Sequence, residues 1–567
     1  MYEELNNTMT PSNVPPFRAD LAYPEFTDEM LGRIRGYGTI ESIPDHTTLF
    51  HRDERQVDMF VVLEGAIEVH TVDDRNEDCL LQVLSPRQFS GELDLFNHQR
   101  TLTGSRTKGD SLLIRITRPQ LQVLMRSEGD IANLIMQATI WRKLRLIGEQ
   151  KGGVILVGQS EDADYLLLER FFVRNGYPHQ TQPFHELCDV TPAVVLSDGR
   201  ILPRPLIAAL ADELGITELP APSTIYDVTV VGAGPSGLAA AVYAASEGLS
   251  TLVIEGIAPG GQAGTSSKIE NYLGFPTGIS GQRLAHRAHV QALKFGVRFA
   301  ISRNAVSIRP TDGIHTLLLE GGLEVQSRAV VVATGARYRK LDLNNYAKFE
   351  NRGIYYAATS MESVLCRDKE VIVVGAGNSA GQAAAFLSGI CAHVHLIVRA
   401  KSLTKTMSQY LISRIENSAR ISLYVNSEIE SLEGDSSLER VTWANRRTGE
   451  TTTLAIRSVF VMIGAEPNTG WLYGTLALDR KGFILTGETN SFENSRYATT
   501  APGIYAVGDV RSTSVKRVAS AVGEGSVVVS DVHRYLADHR ALVAAAPDST
   551  LAALQSVSSD AADQGVL

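Results

Sequence analysis

The stretch IYDVTVVGAGPSGLAAAVYAASEGLSTLVIEG, residues 225–256, decides the fold. An apolar strand runs into Gly232-x-Gly234-x-x-Gly237, an Ala-rich helix follows, and a second strand, TLVIE, ends in Glu255. Each glycine has its own task. Gly232 makes the tight turn, Gly234 lets the backbone approach a pyrophosphate, and Gly237 lets helix and strand pack closely. A pyrophosphate sits well at the helix N-terminus, where free amides and the helix dipole favour an anion. Glu255, 23 residues after Gly232, stands where a carboxylate can take ribose hydroxyls.

A second fingerprint lies 143 residues further on, in KEVIVVGAGNSAGQAAAFLSGICAHVHLIVRAK (369–401). Here Gly375-x-Gly377-x-x-Ala380 carries alanine at the third position, a tolerated variant. The second strand ends at Val398-Arg399-Ala400-Lys401, without an acid. An arginine there suits a ribose 2′-phosphate and so favours NADP over NAD. A solvated basic turn is the alternative reading of Arg399 and Lys401. Two dinucleotide sites in one chain are accounted for most simply by one FAD and one NAD(P)H. Near the C-terminus, TTAPGIYAVGDV places Gly508-Asp509 after a strand, where the aspartate can bond a flavin ribityl chain.

Working outward, 567 residues predict three to five domains, at roughly 100–200 residues each. Hydrophobic residues at 44% and charged residues at 20% give a globular balance. The formal net charge of −10 argues against nucleic acid as a main partner, which needs a basic face. No apolar run approaches the ~20 residues that span a bilayer, and the first twenty residues do not read as a signal peptide. The four cysteines, Cys79, Cys188, Cys366 and Cys391, are too few and too scattered for a disulfide framework or a zinc site, so a cytoplasmic compartment is expected and no metal is.

The predicted organisation begins with a flexible lead (1–20) and a β-rich domain (21–150). In the latter, MFVVLEGAIEVH (59–70) reads as two strands around a turn at Glu64-Gly65, followed by helices over Pro119–Met125 and from Asp130, a candidate N-cap, to about Gln150. A small α/β module (151–219) carries a strand in VILVGQ, a helix ending at Asn175-Gly176, a strand after Thr191-Pro192 and a helix over about 204–214, with PAPS (220–223) as linker. Two Rossmann-like domains follow: one from 220–339 with 463–537, and one inserted at 340–462. Residues 538–567 read as a flexible tail.

The region from about 225 to 535 resembles the low-molecular-weight thioredoxin reductases. The matching pieces are VVGAGPSGLAAA, GGQ (260–262), IENYLGFP (269–276), VVATGA (331–336), VVGAGNSA, FVMIGAEPNT (460–469) and GIYAVGDVRSTSVKRVASAVGEG (503–525). The resemblance implies a two-dinucleotide-binding flavoprotein dimer that moves electrons from NADPH through FAD. It assigns Gly232, Gly234, Gly237, Glu255, Gln262, Asn271, Gly335, Asp509, Arg517 and Val518 to FAD, although the family's Arg-Gln-Ala is Lys-Arg-Val at 516–518. It assigns Gly375, Gly377, Ser379, Ala380, Arg399 and Gly464 to NADPH. The family's Cys-x-x-Cys is missing: Ala357 and Ser360 stand at those positions. Neither can perform thiol–disulfide exchange, which needs a thiolate. No protein acid or base is assigned to catalysis. The electron acceptor is left open among a ferredoxin or flavodoxin, a small dithiol partner, a quinone and oxygen, and a redox sensor with negligible turnover is the rival reading.

Two further resemblances concern the first 220 residues. LEGAIEV and FSGELDLFNHQRTLTG (89–104) resemble a cyclic-nucleotide-binding domain, which implies Glu92 on the ribose 2′-hydroxyl, Arg100 on the cyclic phosphate, and Gly91 and Thr101 beside them. A degenerate docking domain with an ordinary Glu92–Arg100 ion pair is the alternative. The module at 153–217 resembles a thioredoxin or glutaredoxin fold without its active-site cysteines, with Thr191-Pro192 as the cis-proline turn. It is expected to act as a structural spacer or a vestigial docking face.

Overall fold

The computed structural model describes residues 16–73, 77–91, 93–96, 99–159, 162–183, 190–220, 223–266, 269, 272–311, 313–350, 352–356, 358, 366–435, 437–487 and 495–545. Backbone contacts divide the chain into two compact units, one running to Gly335 and resuming at Asn468, the other spanning Ala336–Pro467.

The first unit opens with an antiparallel β-sheet. Its strands lie in the order Thr39–Ile43, Gly104–Ile116, Met59–Val72 and Asp78–Leu84, with Thr48–Phe50 also paired to Gly104–Ile116. The expected break at Glu64-Gly65 is not a turn. Met59–Val72 is one strand of 14 residues, and register shifts around Glu64 and Ala66 absorb the irregularity as bulges while Gly65 takes φ +78°. Phe26 and Phe89 stack with centroids 4.9 Å apart in a core that also holds Met59 and Ile67. Burial of each such side chain stabilises by about 1.5–3 kcal/mol. The helices run over Arg118–Ser127 and Gly129–Glu149, so Glu128, not Asp130, occupies the second N-cap. Asp130 pairs instead with Arg33 at 2.5 Å.

The middle segment builds a four-stranded sheet in the order His179–Gln182, Val154–Val157, Ala193–Val195, Ile201–Pro203. The first two strands are parallel and the rest antiparallel. Asp162 caps the helix Ala163–Asn175, Gly176 ends it in the left-handed conformation, and the Thr191–Pro192 bond is cis. Two strands, His179–Gln182 and Ile201–Pro203, escaped the sequence reading, and the last helix starts only at Ile207. Phe171, Phe172 and Leu210 of this module share one apolar core with Val228, Leu238 and Val528 of the following domain.

That following domain has a seven-stranded sheet. Strands Arg298–Ile301, Thr251–Glu255, Ile225–Val231, Glu324–Val332 and Ile504–Ala506 run parallel, and His315–Leu319 and Ala305–Arg309 extend it antiparallel. The closing helix, Val518–Ala545, runs eight residues past the expected tail boundary. The second unit carries a parallel sheet ordered Ile354–Tyr355, Val459–Val461, Glu370–Val374, His393–Val398, Ile421–Val425, and a three-stranded antiparallel sheet over Ser427–Glu433, Arg440–Asn445 and Thr451–Leu454. Among the described residues, no helix is long and apolar enough to cross a membrane.

Candidate functional site

The first fingerprint loop forms a strand–turn–helix junction. Gly232 takes φ +105° and a β-carbon there would lie 2.4 Å from Ala333 O. A β-carbon on Gly237 would lie 1.8 Å from Gly232 O, so helix and strand approach as closely as backbone allows. Gly234 is the N-cap of the helix Pro235–Ser246, with proline at the first helical position, where its missing N–H costs nothing. In its β-carbon direction only Gly261 Cα lies within 4 Å, at 3.9 Å. This open cradle at a helix N-terminus fits a pyrophosphate.

Glu255 ends its strand beside the loop. Its Oε2 accepts from Ala233 N–H at 2.8 Å and its Oε1 from Ile257 N–H at 3.0 Å. Each carboxylate oxygen keeps a further lone pair for a ribose hydroxyl. Gln262 follows Gly260-Gly261 at the head of a short 3₁₀ turn and is exposed. Gly260 N–H donates to Ala233 O at 2.7 Å, so this loop is hydrogen-bonded to the fingerprint.

The C-terminal part of the site comes from the strand Ile504–Ala506 and the turn Gly508–Val510. Burial pushes the Asp509 carboxyl up, with Lys516 opposing and Glu524 adding. Lys516 Nζ donates to Asp509 O at 3.3 Å and lies 4.6 Å from the Phe483 ring centroid. Arg517 is exposed and Val518 opens the last helix. Gly335 stands in the turn after Glu324–Val332 with open space in its β-carbon direction. Asn271, Glu92, Ala357 and Ser360 lie outside the described residues.

In the second unit Gly375 takes φ +141°, with Met462 O 2.4 Å from its β-carbon position. Gly377 and Gly464 have nothing within 4 Å in that direction, again an open cradle. The helix Asn378–Leu387 presents Ser379 on its exposed first turn and buries Ala380. Arg399 follows the strand His393–Val398 with a side chain 87% exposed, 3.7 Å from Glu428 Oε1. Glu428 is held more tightly by Arg446, at 2.7 Å.

In the N-terminal domain Gly91 takes φ +110°, and its carbonyl accepts from Arg142 Nη1 at 2.6 Å. Arg142 also donates to Phe89 O and Ala22 O, and so fastens this segment to the long helix. Thr101 is buried, and its hydroxyl donates to His51 O at 3.1 Å. Arg100 lies on the side of the domain that meets the middle module.

Three contacts around these loops carry no signal in the sequence. Arg174 of the middle module donates to Ala258 O and Gly261 O. Arg511 and Glu524 form a buried ion pair at 2.8 Å, and Glu524 Oε2 accepts from Gly508 N–H at 2.7 Å. Arg142 clamps Gly91. The first and the last join residues more than fifty apart in sequence, and no local pattern announces them.

Residues 226–525 match the family Pyridine nucleotide-disulphide oxidoreductase, and residues 40–128 match the Cyclic nucleotide-binding domain. The chain is 32% identical to the thioredoxin reductase of Streptomyces clavuligerus, over 56% of this chain and 95% of that protein. It is 30% identical to an NADH dehydrogenase of Bacillus subtilis, over 60% and 64%. Among solved structures, the thioredoxin reductase of Streptococcus pyogenes superposes with TM-score 0.50 at 31% identity, covering 55% of this chain and 99% of that one. That of Giardia duodenalis gives 0.51 at 27%, covering 56% and 100%. The thioredoxin reductase-like members use FAD and NADPH, and both open cradles fit these groups. The chain belongs to the pyridine nucleotide-disulphide oxidoreductases, in a thioredoxin reductase-like form that carries a cyclic-nucleotide-binding domain at its N-terminus.

Proposed function

We propose that the protein is an NADPH-dependent FAD oxidoreductase that delivers electrons to an acceptor other than an internal cysteine pair. The observation that carries this reading is Ala357-x-x-Ser360 in a chain whose two dinucleotide cradles are both intact. Bound together, NADPH and FAD supply hydride transfer and hold electrons for onward delivery. The protein's own residues position them. Gly232, Gly234 and Gly237 admit the FAD pyrophosphate, and Glu255 orients its ribose. Asp509, Gln262, Asn271, Gly335, Arg517 and Val518 complete that side. Gly375, Gly377, Ser379, Ala380 and Gly464 form the coenzyme cradle, and Arg399 takes the 2′-phosphate.

A ferredoxin, a flavodoxin, a small dithiol protein, a quinone or oxygen can receive the electrons. The N-terminal domain supplies Gly91, Glu92, Arg100 and Thr101 for a cyclic nucleotide that regulates the flavoprotein. A homodimer is the assembly that the related reductases suggest. The missing thiols favour a second reading, a redox sensor with negligible turnover. Anaerobic addition of NADPH to the yellow protein separates the two: rapid bleaching supports the enzyme, and an unchanged flavin band over minutes supports the sensor.

A further inference from the structure

Arg511 follows the turn Gly508–Val510, and Glu524 lies in the second turn of the helix Val518–Ala545. Their side chains are 6% and 12% exposed. The guanidinium meets the carboxylate as a fork: Nη2 donates to Oε1 at 2.8 Å and Nε to Oε2 at 3.3 Å. Nη1 donates to Thr486 Oγ1 at 3.4 Å, and Cζ lies 5.5 Å from the Tyr497 ring centroid. Glu524 Oε2 also accepts from Gly508 N–H at 2.7 Å.

Stability alone is a poor account of this pair. Taking two charges out of water costs much of what their attraction returns, and apolar side chains of the same volume would serve a core as well. Neither residue leaves a buried side-chain polar atom without a partner among the described residues. The fork is therefore complete, and its role lies in what it holds.

Three segments converge on it. Gly508 takes φ +73°, and a β-carbon there would lie 2.5 Å from Ser236 Oγ. A β-carbon on Gly525, next to Glu524, would lie 2.1 Å from Ser236 O. Ser236 belongs to the first turn of the fingerprint helix Pro235–Ser246. The Gly508 turn, the last helix and the fingerprint helix therefore touch, and Glu524 ties the first to the second through one backbone amide. Asp509 is the next residue along. Burial pushes its carboxyl up, Lys516 opposes and Glu524 adds, so the Glu524 charge is felt at Asp509.

We propose that Glu524 is a positioning residue for the flavin: its carboxylate, oriented by the Arg511 fork, fixes Gly508 and so sets the turn from which Asp509 meets the FAD. A charge-assisted bond to a backbone N–H is stronger than a neutral one, and it removes the freedom that a glycine otherwise gives a turn. Because the pair is neutral as a whole, it holds the turn without adding net charge beside the flavin. The inference rests on the reading of Asp509 as an FAD ligand.

The test compares two double variants of the full-length protein that remove both buried charges together, so that neither is left unpaired. Arg511→Met with Glu524→Gln keeps an acceptor for Gly508 N–H, and Arg511→Met with Glu524→Leu does not. The melting temperature of each apoprotein checks the fold, and quenching of flavin fluorescence on titration measures FAD binding. The first variant should bind FAD as the wild type does. The second should bind it about tenfold more weakly, the scale of a buried amide left without a partner. Equal FAD affinity in the two variants overturns the inference and leaves the flavoprotein reading standing, whereas a wild type that binds no FAD overturns both. If the second variant does not fold, Glu524→Gln alone decides. It leaves the Arg511 cation unpaired, and a positive charge near the flavin favours its anionic reduced form. The flavin midpoint potential should rise, and an unchanged potential overturns the inference.

Discussion

Arg174, on the helix of the middle module, donates from Nη2 to the carbonyl of Gly261 at 3.4 Å and to that of Ala258 at 3.3 Å. Gly261 in turn faces Gly234: a β-carbon on Gly261 would lie 2.9 Å from Gly234 Cα. The middle module therefore braces the loop that packs against Gly234 of the first fingerprint. Burial lowers the Arg174 pKa, and Glu255 opposes that shift. Arg174→Ala should leave the fold intact and raise the FAD dissociation constant roughly tenfold, the scale of a charge-assisted contact. Fluorescence of released flavin on dilution measures it. Unaltered FAD retention would mean that the module only fills space.

Gly237→Ala should be the most damaging single methyl in the first fingerprint, because its β-carbon position is 1.8 Å from Gly232 O. The helix must back away from the strand, and the purified protein should be colourless or largely unfolded. Gly234→Ala meets nothing in the protein nearer than 3.9 Å, so it should fold. Gly234→Val should fold and yet lack FAD, because its side chain projects into the cradle. Stoichiometric FAD in Gly234→Val would show that the cradle lies elsewhere.

Arg399→Ala should separate the two coenzymes. Removing an 87%-exposed side chain leaves the unit folded. NADPH should lose about tenfold in affinity and NADH little. Steady-state KM values with each coenzyme decide it, and equal losses would make Arg399 a surface charge.

Both dinucleotide fingerprints were legible in the sequence because the turn and the close approach, joined in the first by Glu255 and in the second by Arg399, sit within some thirty residues of one another and obey one local geometry. The strand Met59–Val72 was misread because Glu64-Gly65 looks like a turn, whereas pairing with Gly104–Ile116 on a long register makes it a bulge. Asp130 begins an apolar-periodic run and so suits a cap in the sequence, yet Arg33, 97 residues away, engages it. The bracing by Arg174 was invisible for the same reason: its partners are 84 and 87 residues away. Tertiary contacts of this kind leave no periodicity to read.

Acid should loosen the same junction. His286 and His289, on the helix Gly281–Lys294, line a cavity of about 20 Å³ with Arg174, Asn175, Gly176, Pro259 and Gln282. Burial holds His286 down to about 4, with Lys143 and Arg287 adding, and holds His289 to about 3, with His286 adding. In the unfolded chain both titrate near about 6.5. Between that value and about 4 the unfolded state binds more protons, so stability falls as pH is lowered through this window. Melting temperature and flavin retention should both decline there, and His286→Asn should flatten the slope. A melting temperature independent of pH across the window would contradict these assignments.

The central claim is that electrons pass from NADPH to FAD without any thiol. Cys366 and Cys391 are fully buried, and burial pushes Cys391 up to about 11. Burial also raises Cys79. Cys188 lies outside the described residues. The decisive measurement is anaerobic stopped-flow mixing of NADPH with FAD-loaded protein before and after alkylation of its accessible thiols. The account predicts complete bleaching of the long-wavelength flavin band at the same rate in both samples. Bleaching that disappears on alkylation while the fold is retained, or that is absent from both samples, would contradict it.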